Sequence, residues 1–175
     1  QALDDELGRI DALVNNAGIL EQQMRVEAMS AERLQRVLAE LRVEVLLPDP
    51  LPLLYVHPAL IEQALVNVLE NAARFSPPGG RLQVAVDAGS NALRFVVSDE
   101  GPGIPEAERE KIFDMFYTAA RGDRGGQGTG LGLSVSYFII TNNHQGQMEV
   151  QCQPGHGTTF TLRLPLSSPV EPTAT

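Results

Sequence analysis

The sequence predicts an α/β two-layer sandwich, with a mixed, mostly antiparallel sheet covered on one face by helices and a helical segment ahead of it. Three observations predict this. Pro58 to Arg74 carries apolar residues at helical spacing. Arg81 to Val86 and Ala92 to Ser98 alternate in the manner of strands and flank Gly89-Ser90-Asn91, a hairpin signature. A glycine-rich tract ending near Gly132 leads into a second helix to about His144, and further strands follow near Gln147 to Cys152 and Thr158 to Leu164.

Each element has its own signal. Val43 to Leu47 and Leu53 to Val56 read as short strands. Pro58 suits the first turn of a helix, where a missing N–H costs nothing, and Leu60, Ile61, Ala64, Leu65, Val68, Leu69 and Ala72 form its buried side. Ser76-Pro77-Pro78-Gly79-Gly80 ends that helix and turns the chain.

The first forty residues lack proline, and prolines recur from Pro48 onward, which sets a boundary near Leu41 to Pro48. Residues 1–42 are expected to be a helical N-terminal segment, residues 43–166 the main module, and residues 167–175, rich in Pro, Ser and Thr, a disordered tail. Leu3, Leu7, Ile10, Val14 and Ala17 make a seam that one helix would offer a partner, so a homodimer through the N-terminal helices is expected. Ser30 can cap a second helix with Leu34, Val37, Leu38 and Leu41 on its apolar stripe.

Composition narrows the function classes. In 175 residues, 13 Lys plus Arg stand against 22 Asp plus Glu, a formal charge of −9 and a pI near 4.7. Long-range repulsion therefore disfavours nonspecific binding to nucleic acid or anionic lipid, and no nucleic-acid partner is expected. With 43% hydrophobic and 20% charged residues, the chain can close a core. Its longest stretch free of Asp, Glu, Lys and Arg, Gly125 to Met148, is too polar to span a bilayer, so no membrane segment is expected, and no leader is visible. Cys152 stands alone, which excludes an intramolecular disulfide, suits a cytoplasmic setting and reads as a small buried residue.

Four groups of residues carry chemistry. Asn67 and Asn71, four apart, project from one helix face, with Arg74 nearly in line one turn on. An amide oxygen is a hard neutral ligand for Mg²⁺, which fills its other positions with water and phosphate oxygens. Asp99, in Ser98-Asp99-Glu100-Gly101-Pro102-Gly103-Ile104, ends an apolar strand, where a carboxylate can accept a hydrogen bond from an exocyclic amine. It would thereby prefer adenine to guanine, whose keto oxygen there is an acceptor. Phe113-Asp114-Met115-Phe116 precedes a Gly-, Arg- and Asp-rich stretch suited to a lid, with Arg121 and Arg124 as its cations. Gly128-Thr129-Gly130-Leu131-Gly132-Leu133 opens a helix, where free backbone N–H groups favour an anion. It lacks the Lys-Ser or Lys-Thr of a Walker loop. Taken singly, each group also has a plain structural reading as a cap, turn, core anchor or loop.

In this order the groups resemble the ATP-binding catalytic domain of sensor histidine kinases, whose Bergerat-type fold is shared with gyrase, heat-shock chaperone and mismatch-repair ATPases. VNVLENAARFS looks like the asparagine box, DEGPGI the adenine box, FDMF the phenylalanine box, GTGLGL the phosphate box and GHGTTF the closing glycine motif. LYVHPALIEQALVNVLENAARFSPPGG is most similar to the potassium-responsive sensor kinases, and SVSYFIITNNHQG looks more like other branches. The resemblance implies ATP and Mg²⁺ as cofactors, with Asn71 on the metal and Asn67 and Arg74 near the phosphates. Asp99, Gly101, Gly103 and Ile104 would hold the base, and Thr159 would border it. Tyr117 and Arg121 would belong to the lid, and Gly128, Thr129, Gly130, Leu131 and Gly132 would cover the phosphates. Implied partners are a histidine-bearing dimerisation domain and a response regulator.

Some residues depart from that pattern. His57, His144 and His156 all lie inside the module and none precedes an acidic residue, so no phospho-acceptor is visible. Where gyrase-type ATPases carry a glutamate base one turn before the metal-binding asparagine, this chain has Asn67, whose amide cannot take a proton from water. No catalytic residue is assigned. Phosphotransfer to a histidine outside this chain and a catalytically inactive or recombined nucleotide-binding or structural fragment both stand. Separately, GRIDALVNNAGIL resembles the strand and turn of short-chain dehydrogenases, which would make Ile10 to Val14 a strand. No glycine-rich turn precedes it, and the residues four after Tyr55, Tyr117 and Tyr137 are Ala59, Arg121 and Thr141 rather than lysine.

Overall fold

A computed structural model describes residues 38–50, 54–118, 130–152 and 155–166. Strand β1 (Arg42–Leu46) leads to helix α1 (Pro58–Phe75), and β2 (Arg81–Ala88) and β3 (Ala92–Asp99) follow as a hairpin. After two short 3₁₀ turns at Glu106–Glu108 and Lys111–Phe113 comes α2 (Gly132–Phe138), which continues as a π-helix over Ile139–Asn143. Strands β4 (Gln147–Cys152) and β5 (Thr158–Pro165) close the fold.

The sheet order is β1-β2-β3-β5-β4. Only β1 and β2 run parallel, because α1 carries the chain back between them. The other pairs are antiparallel, as expected of a mixed, mostly antiparallel sheet. Val45, Leu82, Val84, Phe95, Val97, Phe160, Leu162 and Leu164 point to one face and are buried there with Ile61, Ala64, Leu65, Val68, Leu69 and Ala72 of α1. This is the two-layer core that the alternating strands and the helical stripe require. Each parity slip would turn an entire strand's apolar set to water.

Helix α1 stops where its sequence changes. The Ser76 hydroxyl and N–H both donate to the Ala72 carbonyl, at 2.8 and 3.0 Å, and Pro77 cannot continue the ladder. Gly79 and Gly80 then tie this turn to the start of β1 through Gly79 N–H to Glu40 O and Arg42 N–H to Gly80 O, both at 2.8 Å.

Three expectations are corrected. Leu54 to Val56 form no strand, and Leu54 instead plugs the core, 2% exposed. The second helix is α-helical only to Phe138. Cys152 is half-buried, not buried, with its thiol 3.1 Å from the Ile104 carbonyl. The seam from Leu3 to Ala17, the dehydrogenase-like stretch and the tail from Ser167 lie outside the described residues. At the described end of the N-terminal segment, Leu38 and Leu41 join the core of the sheet.

Candidate nucleotide site

The site is built on the C-terminal half of α1. Asp99 ends β3 with the same parity as Phe95 and Val97, so its side chain lies on the helix-covered face, 7% exposed. Burial lifts its carboxyl from the ordinary 3.8 to about 6, and hydrogen bonds from the Gly101 and Thr158 N–H groups oppose the rise. Both N–H groups reach Oδ1, at 2.7 and 3.3 Å, and among the described residues neither bond engages Oδ2. A buried carboxylate with one oxygen uncommitted is prepared for an incoming donor.

Backbone packing brings the scattered motifs together. A Cβ on Gly101 would stand 3.0 Å from the Phe75 carbonyl, so the loop after Asp99 abuts the last residue of α1. Two turns earlier, Asn67 Nδ2 donates to the Gly132 carbonyl at 3.1 Å, and its Oδ1 accepts from Gln63 at 2.9 Å. From Asn67 to Phe75 the helix rises ~12 Å at 1.5 Å per residue. Asn71 lies midway on the same face, half-buried, with Arg74 half-buried in the last turn. The glycine tract therefore stands at one end of this stretch and the Asp99 loop at the other, with Asn71 between them.

Two glycines are irreplaceable for steric reasons. Gly157 has φ +87°, and a Cβ there would come within 1.8 Å of the Asp99 carbonyl oxygen. Gly130 has φ +67° and packs on Phe116, where a Cβ would approach the carbonyl carbon to 2.6 Å. Phe116 N–H donates to Gly130 O at 2.9 Å, which joins the phenylalanine motif to the glycine tract. Phe113 meets Tyr137 of α2 with ring centroids 4.9 Å apart.

The expected residues fall into three groups. Asn67, Asn71, Arg74, Asp99, Gly101 and Gly132 line this stretch of α1 or its two ends. Gly103 is buried in the loop after Asp99, Ile104 and Tyr117 pack on the core, and Gly130 and Leu131 lead into α2. Arg121, Arg124, Gly128 and Thr129 lie outside the described residues. Thr159 needs correction. It pairs with Ser98, their hydroxyls 2.9 Å apart, and strand alternation puts both on the face opposite Asp99. The residue on the Asp99 face is its neighbour Thr158, 8% exposed. Sequence reasoning missed it although its parity with Phe160, Leu162 and Leu164 signalled the buried face.

His144 takes a structural position. His144 Nε2 accepts from the His57 N–H at 2.9 Å, so its Nδ1 carries the proton and donates to Ile139 O at 2.8 Å. That ring ties the start of α1 to the π-helix.

Comparison with known proteins agrees with this fold. Residues 56–168 match the model of the histidine kinase-, DNA gyrase B- and HSP90-like ATPases, and the chain belongs to that family. Within it, the chain carries the ATP-binding catalytic module of a sensor histidine kinase. The adaptive-response sensory kinase SasA of Nostoc sp. is 38% identical over 126 residues, covering 71% of this chain and 31% of that protein. Sporulation kinase E of Bacillus subtilis is 30% identical over 182 residues, covering 97% of this chain and 24% of that protein. The chain thus spans about a third or less of these relatives. Among solved structures, the mycobacterial sensor histidine kinase MprB superposes with a TM-score of 0.67 at 31% identity, covering 78% of this chain and 91% of that one. The catalytic domain of histidine kinase ThkA, at 22% identity and a TM-score of 0.67, covers 94% of each and shares the fold. No helix among the described residues is long and apolar enough to cross a membrane.

Proposed function

We propose that this module binds Mg·ATP along the C-terminal half of α1 and presents the γ-phosphate to a histidine carried outside this chain. The observation that supports it most is the buried Asp99 carboxylate, with Oδ2 uncommitted, at one end of a stretch whose other end is the Asn67–Gly132 contact. Asp99 accepts from the adenine amine, Gly101, Gly103 and Ile104 close on the ring, and Thr158 replaces Thr159 as the threonine beside it. Arg74 and Gly128 to Gly132 attend the phosphates, with Thr129 among them, and Tyr117 and Arg121 serve the lid.

Mg²⁺ fits this donor set. The described residues hold no group of three His, Cys, Asp or Glu that would cage a metal, and a single amide oxygen from Asn71 suits an ion that keeps phosphate and water ligands. When bound, the ion neutralises charge on the transferring phosphoryl group. The chain's own residues position the nucleotide. Asn67 supplies no base, and its amide is engaged with Gly132 and Gln63, which disfavours attack by water. In transfer, a nitrogen of the acceptor imidazole bonds to the γ-phosphorus, the bond to the β–γ bridging oxygen breaks, and ADP leaves. A response regulator then takes the group from the histidine. A cytoplasmic setting, where ATP is supplied and a lone thiol such as Cys152 stays reduced, suits this role.

Titration calorimetry with Mg·ATP tests the site, since Asp99→Asn should lose most of the affinity. Incubation with labelled ATP should leave this chain unlabelled, and an acid-labile phosphohistidine on it would overturn transfer to an outside acceptor.

A further inference from the structure

The loop after Asp99 is tied to the end of strand β4, which the ATP-binding motifs do not include, and to the turn that follows it. Arg109, at the end of the first 3₁₀ turn, donates from Nη2 to the Cys152 carbonyl at 2.9 Å, at the last residue of β4. The Cys152 thiol in turn donates to the Ile104 carbonyl at 3.1 Å. Just past β4, the Gly155 N–H donates to the Pro102 carbonyl at 2.9 Å. Three bonds therefore fasten residues 102–109 to the edge of the sheet, and the same β4–β5 turn supplies Gly157 and the Thr158 N–H against Asp99.

We propose that Arg109 is a positioning residue which, with the Cys152 thiol, latches the base-binding loop to the end of β4 and so holds Gly103 and Ile104 at the distance from Asp99 that an adenine ring needs. This rests on the reading of Asp99 as the base selector. Without the latch, residues 102–109 lose two of these three ties, and the entropy of ordering them falls on the binding step. The guanidinium acts here through one donor. Its buried Nε finds no acceptor among the described residues, so a side chain with a single terminal donor can take its place. This distinguishes a latch from mere filling of space.

ADP titrated into the unaltered chain, Arg109→Met and Arg109→Lys tests the proposal, with melting temperature followed in parallel. Methionine keeps the apolar stem and removes the donor, so its dissociation constant should rise about tenfold, whereas lysine should stay within about threefold of the unaltered protein. Equal binding by Arg109→Met overturns the latch, as does a loss in Arg109→Lys as large as in Arg109→Met. If Arg109→Met does not fold, Cys152→Ala removes the parallel thiol donor. A rise of about threefold in its dissociation constant supports the latch, and no change overturns it. Failure of the unaltered chain to bind ADP overturns the nucleotide reading and the latch together. Binding that depends on Asp99 but on neither Arg109 nor Cys152 overturns the latch alone.

Discussion

Asp99 is held in its charged form at a cost to the fold. Moving a carboxyl from 3.8 to about 6 disfavours its ionised form by on the order of 3 kcal/mol. Between those two values the folded state binds more protons than the unfolded chain, so this residue's contribution to stability declines as pH rises through that window and stays low above it. Asp99→Asn keeps an acceptor for the Gly101 and Thr158 N–H groups and removes the charge. The ligand-free variant should therefore melt higher than the parent at pH 7, by calorimetric scan, while losing ATP binding. A lower melting temperature would show that the carboxylate is not penalised. Below pH 6 the parent's ATP affinity should fall by up to tenfold for each pH step, because protonation removes the acceptor that the adenine amine needs. Gly157→Ala tests the opposite kind of residue. Its Cβ would collide with the Asp99 carbonyl, so the turn must move, and ATP binding should drop at least as far as in Asp99→Asn.

At the scale of elements, the contact between α1 and α2 sets the distance from the glycine tract to the Asp99 loop. Two side chains make it specific. Asn67 donates to the Gly132 carbonyl, and the buried Ser136 hydroxyl lies 3.1 Å from Ala64 O and 2.9 Å from Gly132 O. Ser136→Ala leaves no large void but removes that hydroxyl from the helix interface. It should cost about 1 kcal/mol in urea unfolding and weaken ATP several-fold. Asn67→Ala should weaken ATP more than it lowers stability, since the residue is only half-buried and touches the glycine tract directly. Equal effects of both changes on stability and on binding would show that the contact is structural only.

At the scale of the whole molecule, the described residues form one sheet with one helical layer, and the candidate nucleotide stretch exists only while those layers stay in register. Phe95 and Phe160 are fully buried on adjacent strands β3 and β5, the two strands that end in Asp99 and begin with Thr158. Phe95→Ala should cost about 3–5 kcal/mol in denaturant unfolding and abolish ATP binding by loss of fold. Sedimentation of the full chain at several concentrations tests association through the Leu3–Ala17 seam, and a monomer at all concentrations would remove that expectation.

The strands β2, β3 and β5 and helix α1 were legible because their signals are local: period-two alternation, a helical stripe and proline or glycine at the ends. Leu54 misled for the opposite reason, since an apolar run reads the same whether it pairs in a sheet or fills a gap beneath a helix. Thr158 and Thr159 are adjacent and identical in type, and only their parity relative to Phe160 separates them. Order and spacing of residues, by themselves, determined the family and the sheet, and they singled out Asn71 and Asp99 as candidates, because each follows from patterns written within a few neighbours. Tertiary structure alone decided which threonine shares the face of Asp99, that Asn67 grips Gly132, and that Arg109 reaches Cys152 across 43 positions of chain. Those are contacts between surfaces that become neighbours only after the layers have packed.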